Sequence, residues 1–292
     1  MNKTDFKKLI RFCAYWLVPQ GYTDILRKVL YSKNIKNYEH LLSKNIKFKN
    51  IHRGQRCFLL CTGPSIKTQD LKLLKNEFCI AVNNFYVHKD YSLIRPTYYC
   101  LPDLLSGHPN LTKELVVSWL TDMQIKFASS YLFMSCGEKD REMINEYKLF
   151  QNVDIRYMNL NGDWNTFEQE GVNLTKQIPP GQSVSVMAIE LALYMGFKDI
   201  YLLGYDHDYV LHFGQTRHFY DSQESVLERN ASTQEKEWYG EDWYSNFKSQ
   251  TNLWEQYISI RKYISDKEVN IYNATNGGIL DVFPRVEYES IF

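Results

Sequence analysis

Arg56-Cys57-Phe58-Leu59-Leu60-Cys61-Thr62-Gly63-Pro64-Ser65 is the stretch that decides the fold of this chain. Its apolar residues succeed one another without alternation, so neither face is left for water. That is the signature of a strand buried on both sides, as in a parallel sheet covered by helices. The run passes directly into a Thr-Gly-Pro-Ser turn. There glycine permits close backbone approach, proline stiffens the bend and Ser65 can cap the next helix.

The same pattern repeats along the chain. Residues 78–82 (FCIAV) form a second strand ending at Asn83-Asn84, and residues 97–101 (TYYCL) a third ending at Pro102-Asp103. Residues 126–134 supply a fourth and residues 153–158 a fifth. Pro179-Pro180-Gly181-Gln182-Ser183 leads into a helix over 184–195, closed by Gly196. Residues 199–203 (DIYLL) then run to Gly204-Tyr205-Asp206. A helix over 251–265 and a strand over 269–272 precede Asn273-Ala274-Thr275-Asn276. Strands alternating with helices predict an α/β, Rossmann-like doubly wound and mostly parallel sheet. In such sheets ligands gather beyond the carboxyl ends of the strands, and the polar signatures of this chain lie there. Residues 210–250 break the alternation and read as a lid inserted over those ends.

Several residues at these ends can carry chemistry. The turn Thr62, Gly63, Pro64 and Ser65 could hold a phosphate or ribose on its N–H groups; a ligand-free βα turn reads the same way. Gln182 and Ser183 open a helix, a second position suited to phosphate, where Ser183 also serves as an ordinary N-cap. Asp206 and Asp208, two apart, permit a metal-held nucleotide diphosphate. With Tyr209 beside them they equally suit a metal-free site in which hydroxyls neutralise the leaving phosphate. His207, His212 and His218 fall within twelve positions of a chain that has seven histidines. A near-neutral imidazole there could take a proton from an acceptor hydroxyl. There is no Walker loop and no GxGxxG fingerprint, which argues against P-loop and dinucleotide enzymes.

The charges place these features in context. Thirty-four basic residues balance thirty-four acidic ones, yet residues 1–53 hold twelve Lys/Arg against three Asp/Glu. A basic head on an acidic body does not suit nucleic acid. It divides the chain into a helical, basic appendage over 1–53 and a domain over 54–292. Residues 4–18 place Phe6, Leu9, Ile10, Cys13, Trp16 and Leu17 on one helical face, with Lys7, Lys8 and Arg11 toward the other. Such a helix could lie on a membrane surface, or pack on protein. The six cysteines form no CxxC pair; Cys57, Cys61, Cys79 and Cys100 read as buried apolar residues of a reducing compartment. The first apolar run is interrupted by Arg11 and has no small-residue cleavage site. The expected compartment is therefore the cytoplasm, with peripheral attachment to the inner membrane face as the variant.

Three stretches together carry a resemblance. Residues 60–66 (LCTGPSI), 82–86 (VNNFY) and 187–209 (MAIELALYMGFKDIYLLGYDHDY) resemble the bacterial sialyltransferases of the Campylobacter type and the related DUF115/MptE-like group of surface-polysaccharide and flagellin glycosylation. The resemblance implies a GT-A-like variant of the sheet, a CMP-sugar donor, inversion at the anomeric carbon and no metal or other cofactor. It implies that Thr62–Ser65, Asn83, Gln182 and Ser183 line the donor site and that Tyr209 assists the departing phosphate. A lid His–Tyr pair, His218 with Tyr220, would supply the base and a second phosphate contact; His212 is the alternative base. Asp103, Asp206 and Asn273 complete the expected donor-side set. The chain departs from the pattern where Thr62 replaces Asn, where Leu101–Asp103 lacks one, and where Pro-Pro-Gly replaces an Arg. The implied function is transfer of an acidic sugar, sialic-acid-like or Kdo, to a glycan or lipid-linked glycan. The acceptor class would be lipopolysaccharide O-antigen or capsule. A homo-oligomer is compatible with the sequence. Two rivals stand beside it: a magnesium-ATP diphosphokinase of the MptE-like kind, with Asp206 and Asp208 as ligands, and a non-catalytic glycan-assembly protein.

Overall fold

The computed structural model describes residues 38–105, 111–212, 218–221, 223–226 and 242–292. The chain divides into two compact units, Met1–His40 and Leu41–Phe292, and the second is the α/β body. The helical segment expected over 4–18 lies outside the described residues. Residues 41–53, basic by composition, pack into the body: Asn45 Nδ2 donates to the carbonyls of Tyr157 and Leu174, and Phe48 lies in the core.

Seven strands run in chain order: β1 (Arg56–Leu60), β2 (Cys79–Val82), β3 (Tyr98–Cys100), β4 (Tyr131–Ser135), β5 (Asp154–Met158), β6 (Asp199–Leu203) and β7 (Asn270–Asn273). They form one sheet in the order β5-β4-β3-β2-β1-β6-β7, with every pairing parallel. The α/β, Rossmann-like sheet read from the sequence is therefore the fold. Five principal helices cover it: α1 (Lys113–Lys126), α2 (Glu138–Glu146), α3 (Trp164–Glu170), α4 (Val184–Met195) and α5 (Trp243–Ile264). Of the segment expected as a strand from residue 126, Lys126 ends α1, residues 127–130 form the connection, and β4 begins only at Tyr131. The last long helix starts at Trp243, capped by Asp242, about two turns earlier than its apolar spacing suggests.

Strand alternation divides the core. Cys57, Leu59, Ile80, Val82, Ile200 and Leu202 point toward α4 and α5; Phe58, Leu60, Cys79, Ala81 and Leu203 point toward α1 and α2. Because both faces are covered, each strand needs apolar residues at every position, which is why β1 reads as a continuous run. The helix α4 is buried along nearly its whole length and ends on Gly196, whose φ of 81° is the left-handed value a glycine C-cap requires. Cys57, Cys61, Cys79 and Cys100 are buried thiols, as read, and Cys136 is buried as well. No helix among the described residues is long and apolar enough to cross a membrane.

The strand order reverses beside β1. From β1 the chain steps outward through β2 to β5, then returns to lay β6 and β7 on the other side. The loops leaving β1 and β6 therefore start from adjacent strands at the point where the strand order reverses, the place where ligands gather in such sheets.

Candidate active site

The candidate site is built on a contact between these two loops. Cys61 N donates to Leu203 O at 2.9 Å and Gly63 N to Gly204 O at 3.0 Å, so the β1–β6 ladder continues past both strand ends. Ser65 then closes on Asp206: its N–H donates to Oδ1 at 3.1 Å and its hydroxyl to Oδ2 at 2.7 Å. Gly63 is required by this closure. A Cβ there would lie 1.9 Å from Asp206 Oδ2 and 2.5 Å from Gly204 O. One sequence expectation changes accordingly. The Gly63 and Ser65 N–H groups are engaged within the protein instead of facing outward for a phosphate. Both Asp206 oxygens accept from Ser65, so this carboxylate anchors the loop.

Thr62 is what the loop presents, and a strap over residues 218–220 lies on it. Phe219 N donates to Thr62 O at 2.9 Å, and Thr62 Oγ1 is 3.3 Å from His218 Nδ1. The His218 ring stacks on Tyr220, with centroids 4.8 Å apart and planes at 16°. Burial pushes the imidazole down to about 4, opposed by a hydrogen bond to the Thr62 backbone. The ring is therefore neutral across the physiological range. When Nδ1 carries the proton toward Thr62, Nε2 holds the lone pair and His218 has the electronic form of a proton acceptor. Tyr220 is tied in turn to the end of β2, where Asn84 Nδ2 donates to its hydroxyl at 2.9 Å.

A second cluster forms where Asp206 passes into His207. His207 has a left-handed φ of 48°, and burial lowers its imidazole to about 4. Its Nε2 meets Tyr257 OH at 2.8 Å, Tyr257 OH meets Ser185 Oγ at 2.7 Å, and Ser185 Oγ donates to Ser183 Oγ at 2.9 Å. Ser183 caps α4. Gln182 is held by α5, its N–H on Gln256 and its Nε2 on Ser249 Oγ at 3.1 Å. Burial raises the Tyr209 phenol, and a hydrogen bond to the same Ser249 opposes the shift. Asp208 faces His212 across 3.7 Å.

Three expected residues stand differently. Asn83, at the end of β2, has a left-handed φ of 48°, and its buried Oδ1 has no hydrogen-bond partner among the described residues. Strain coupled to an unsatisfied polar atom is a mark of functional positions. Asp103 lies after β3 beside Gly137. Asn273 is fully buried, its Nδ2 on Leu280 O and its Oδ1 accepting from Thr275 N, so it organises the loop after β7. Thus Thr62, Ser65, Asp206, His218 and Tyr220 meet in one cluster; Gln182, Ser183 and Tyr209 meet in the other, and Asp206-His207 joins them. The partners Asn84, Ser185, Ser249 and Tyr257 escape a reading of the sequence. Asn84 alone carried a local signal, as the neighbour of Asn83.

The chain has relatives among known proteins. The model of the family described as 6-hydroxymethylpterin diphosphokinase MptE-like matches residues 31–211, which span β1 to β6. No curated protein matches the chain. Among solved structures, the sialyltransferase CstII from Campylobacter jejuni, in complex with the substrate analogue cytidine-5'-monophosphate, is similar over 80% of this chain and 85% of its own, with 15% identity and a TM-score of 0.45.

Proposed function

This chain belongs to the 6-hydroxymethylpterin diphosphokinase MptE-like family, and from that premise and the geometry of the site we propose that it is a glycosyltransferase using a CMP-activated acidic sugar. The observation that carries the reading is the contact of His218 with Thr62. It puts a neutral, desolvated imidazole on the loop that leaves the central strand, where a nucleotide-linked substrate would lie.

The steps are assigned to the side chains in turn. His218 Nε2 takes the proton of the acceptor hydroxyl as that oxygen bonds to the anomeric carbon. The bond from the anomeric carbon to the CMP phosphate oxygen breaks on the opposite face, which inverts the centre. Negative charge then grows on the phosphate. Tyr209 and Tyr220 meet it with phenolic protons; Asn84 donates to the Tyr220 oxygen, so that proton is turned away from Asn84. Ser183, at the N-terminus of α4, offers a hydroxyl in the same quarter. A monophosphate leaving group carries little enough charge for hydroxyls and a helix terminus to serve in place of a metal. Asn83 and Asp103 line the sugar side in this reading, and the acceptor is a bacterial surface glycan such as O-antigen or capsule, met at the inner membrane face.

The family's description favours a second reading, transfer of diphosphate from magnesium-ATP to a pterin alcohol. In that reading Asp206 and Asp208 hold the metal. The bonds from Ser65 take one acceptor site on each Asp206 oxygen and leave one on each for a metal. One experiment separates the two. CMP-sialic, CMP-legionaminic, CMP-pseudaminic and CMP-Kdo donors are assayed for release of CMP with and without EDTA, beside ATP and hydroxymethylpterin with magnesium. CMP release that persists in EDTA supports the transferase; magnesium-dependent AMP release with no CMP release overturns it.

A further inference from the structure

Asn84 is a fully employed polar group beneath the strap. It is 3% exposed, yet its Oδ1 accepts from Trp119 Nε1 at 2.6 Å, and its Nδ2 donates to Tyr220 OH at 2.9 Å and to Ser225 Oγ at 3.0 Å. Three separate pieces of chain meet on this one amide: the turn after β2, the helix α1 and the strap.

The arrangement has one sense. An indole N–H can only donate, so the end of the amide facing Trp119 must be the oxygen. Turning the amide over would set two donors against each other in a buried place, at a cost of about 1–3 kcal/mol. The NH₂ end is thereby aimed at Tyr220, and the phenol oxygen is held as its acceptor. The Tyr220 ring, fixed by its hydroxyl, forms the face on which His218 stacks. Thr62 holds the Nδ1 edge of the same imidazole. The strap has a second attachment that does not involve the amide: Phe219 packs on Phe85 and His88, at centroid distances of 6.0 and 5.0 Å. Loss of the Asn84 contact would therefore leave the strap in place and release the Tyr220 ring.

We propose that Trp119 and Asn84 form a positioning relay that sets the orientation and tautomer of His218 through the ring of Tyr220. The proposal rests on the reading of His218 as the base, and it assigns Asn84 as a positioning residue that touches no reacting atom. Tyr220 is the titratable group that faces the imidazole from the strap, and Thr62 the polar group that faces it from the β1 loop.

The test observes the imidazole directly, by NMR of the full chain carrying labelled histidine, with the His218 signal assigned by its loss in His218→Gln. The native ring is expected as the Nδ1–H tautomer. Asn84→Asp keeps the shape and substitutes a carboxylate for the donating amide; the His218 midpoint should rise by at least about one pH unit, a roughly tenfold gain in proton affinity. Tyr220→Phe removes the phenol oxygen that Asn84 holds and keeps the ring; it should give mixed tautomers and a midpoint moved toward the ordinary value of about 6.5. An unchanged midpoint and tautomer in both variants overturns the relay. If Asn84→Asp does not fold, Tyr220→Phe decides alone, since Phe219 still anchors the strap. NMR changes without hydrolysis of any CMP-sugar would overturn the transferase reading and leave the relay standing. Hydrolysis that depends on His218, with an imidazole indifferent to Asn84, would do the reverse.

Discussion

Ser65 and Asp206, 141 residues apart, are joined by two hydrogen bonds that use both carboxylate oxygens. This pair ties the loop leaving β1 to the loop leaving β6 at the point where the sheet changes direction. Charge-assisted bonds to a buried carboxylate are worth roughly twice a neutral one. Asp206→Asn should lower stability by about 1–3 kcal/mol, because both bonds lose the charge that strengthens them. The new amide can still accept from the Ser65 N–H and donate to its hydroxyl oxygen. Adding Ser65→Ala should cost less in Asp206→Asn than in the native chain. Urea unfolding of the four proteins of this cycle measures the coupling.

Gly63→Ala should be more damaging than its size suggests. The added methyl would meet Asp206 Oδ2 and the Gly204 carbonyl well inside contact distance, and a main-chain carbonyl cannot step aside. We expect a loss of about 3 kcal/mol or more, seen as a fall in Tm of roughly 10 °C, with weakened CMP binding in calorimetry. A Tm within about two degrees of the native value would contradict the packing described for this loop.

The low proton affinity of His218 makes a prediction about rate. Burial lowers its imidazole to about 4, so the base form prevails at every pH above that value. For donor turnover, kcat/KM should rise with pH through about 4 and then level, with no inflection near 6.5. His218→Gln should reduce kcat at least about a hundredfold across the plateau. A titration of kcat/KM centred at about 6.5 would show that another, solvated group limits the rate.

Glu190, on α4, carries a different liability. It is 0% exposed, neither of its oxygens has a partner among the described residues, and burial alone raises its carboxyl well above the usual range. A carboxyl whose folded value lies above its unfolded one favours folding at acid pH, and loses that contribution as pH rises toward the folded value. Glu190→Met removes both oxygens at nearly constant volume. It should stabilise the protein by about 1–3 kcal/mol, with the gain larger near pH 7 than near pH 4. Paired thermal scans at the two values would expose the opposite trend, if it exists.

Much of the fold was legible because a strand covered on both faces has no choice of residue. The runs at 56–60, 78–82 and 199–203 announced themselves in this way, and Gly196 marked the end of α4 through its left-handed backbone. The first turns of α5 were hidden for the opposite reason. Trp243, Tyr244 and Phe247 are exposed, so no buried stripe signals the helix before Leu253. Lys126 was read into a strand because Phe127 and Ala128, which follow α1 directly, look like the first apolar residues of β4.

The chain's own sequence determined that seven apolar segments would be strands and that their polar ends would cluster; hydrophobic continuity and turn chemistry are local properties. Only the tertiary structure decided that β6 lies against β1. That pairing makes Asp206 the anchor of Ser65, and brings His218 to Thr62 across 156 positions. Buried parallel strands resemble one another too closely for strand order to be read from them. Which side chains meet at the site is therefore set by packing over distances that no local pattern encodes.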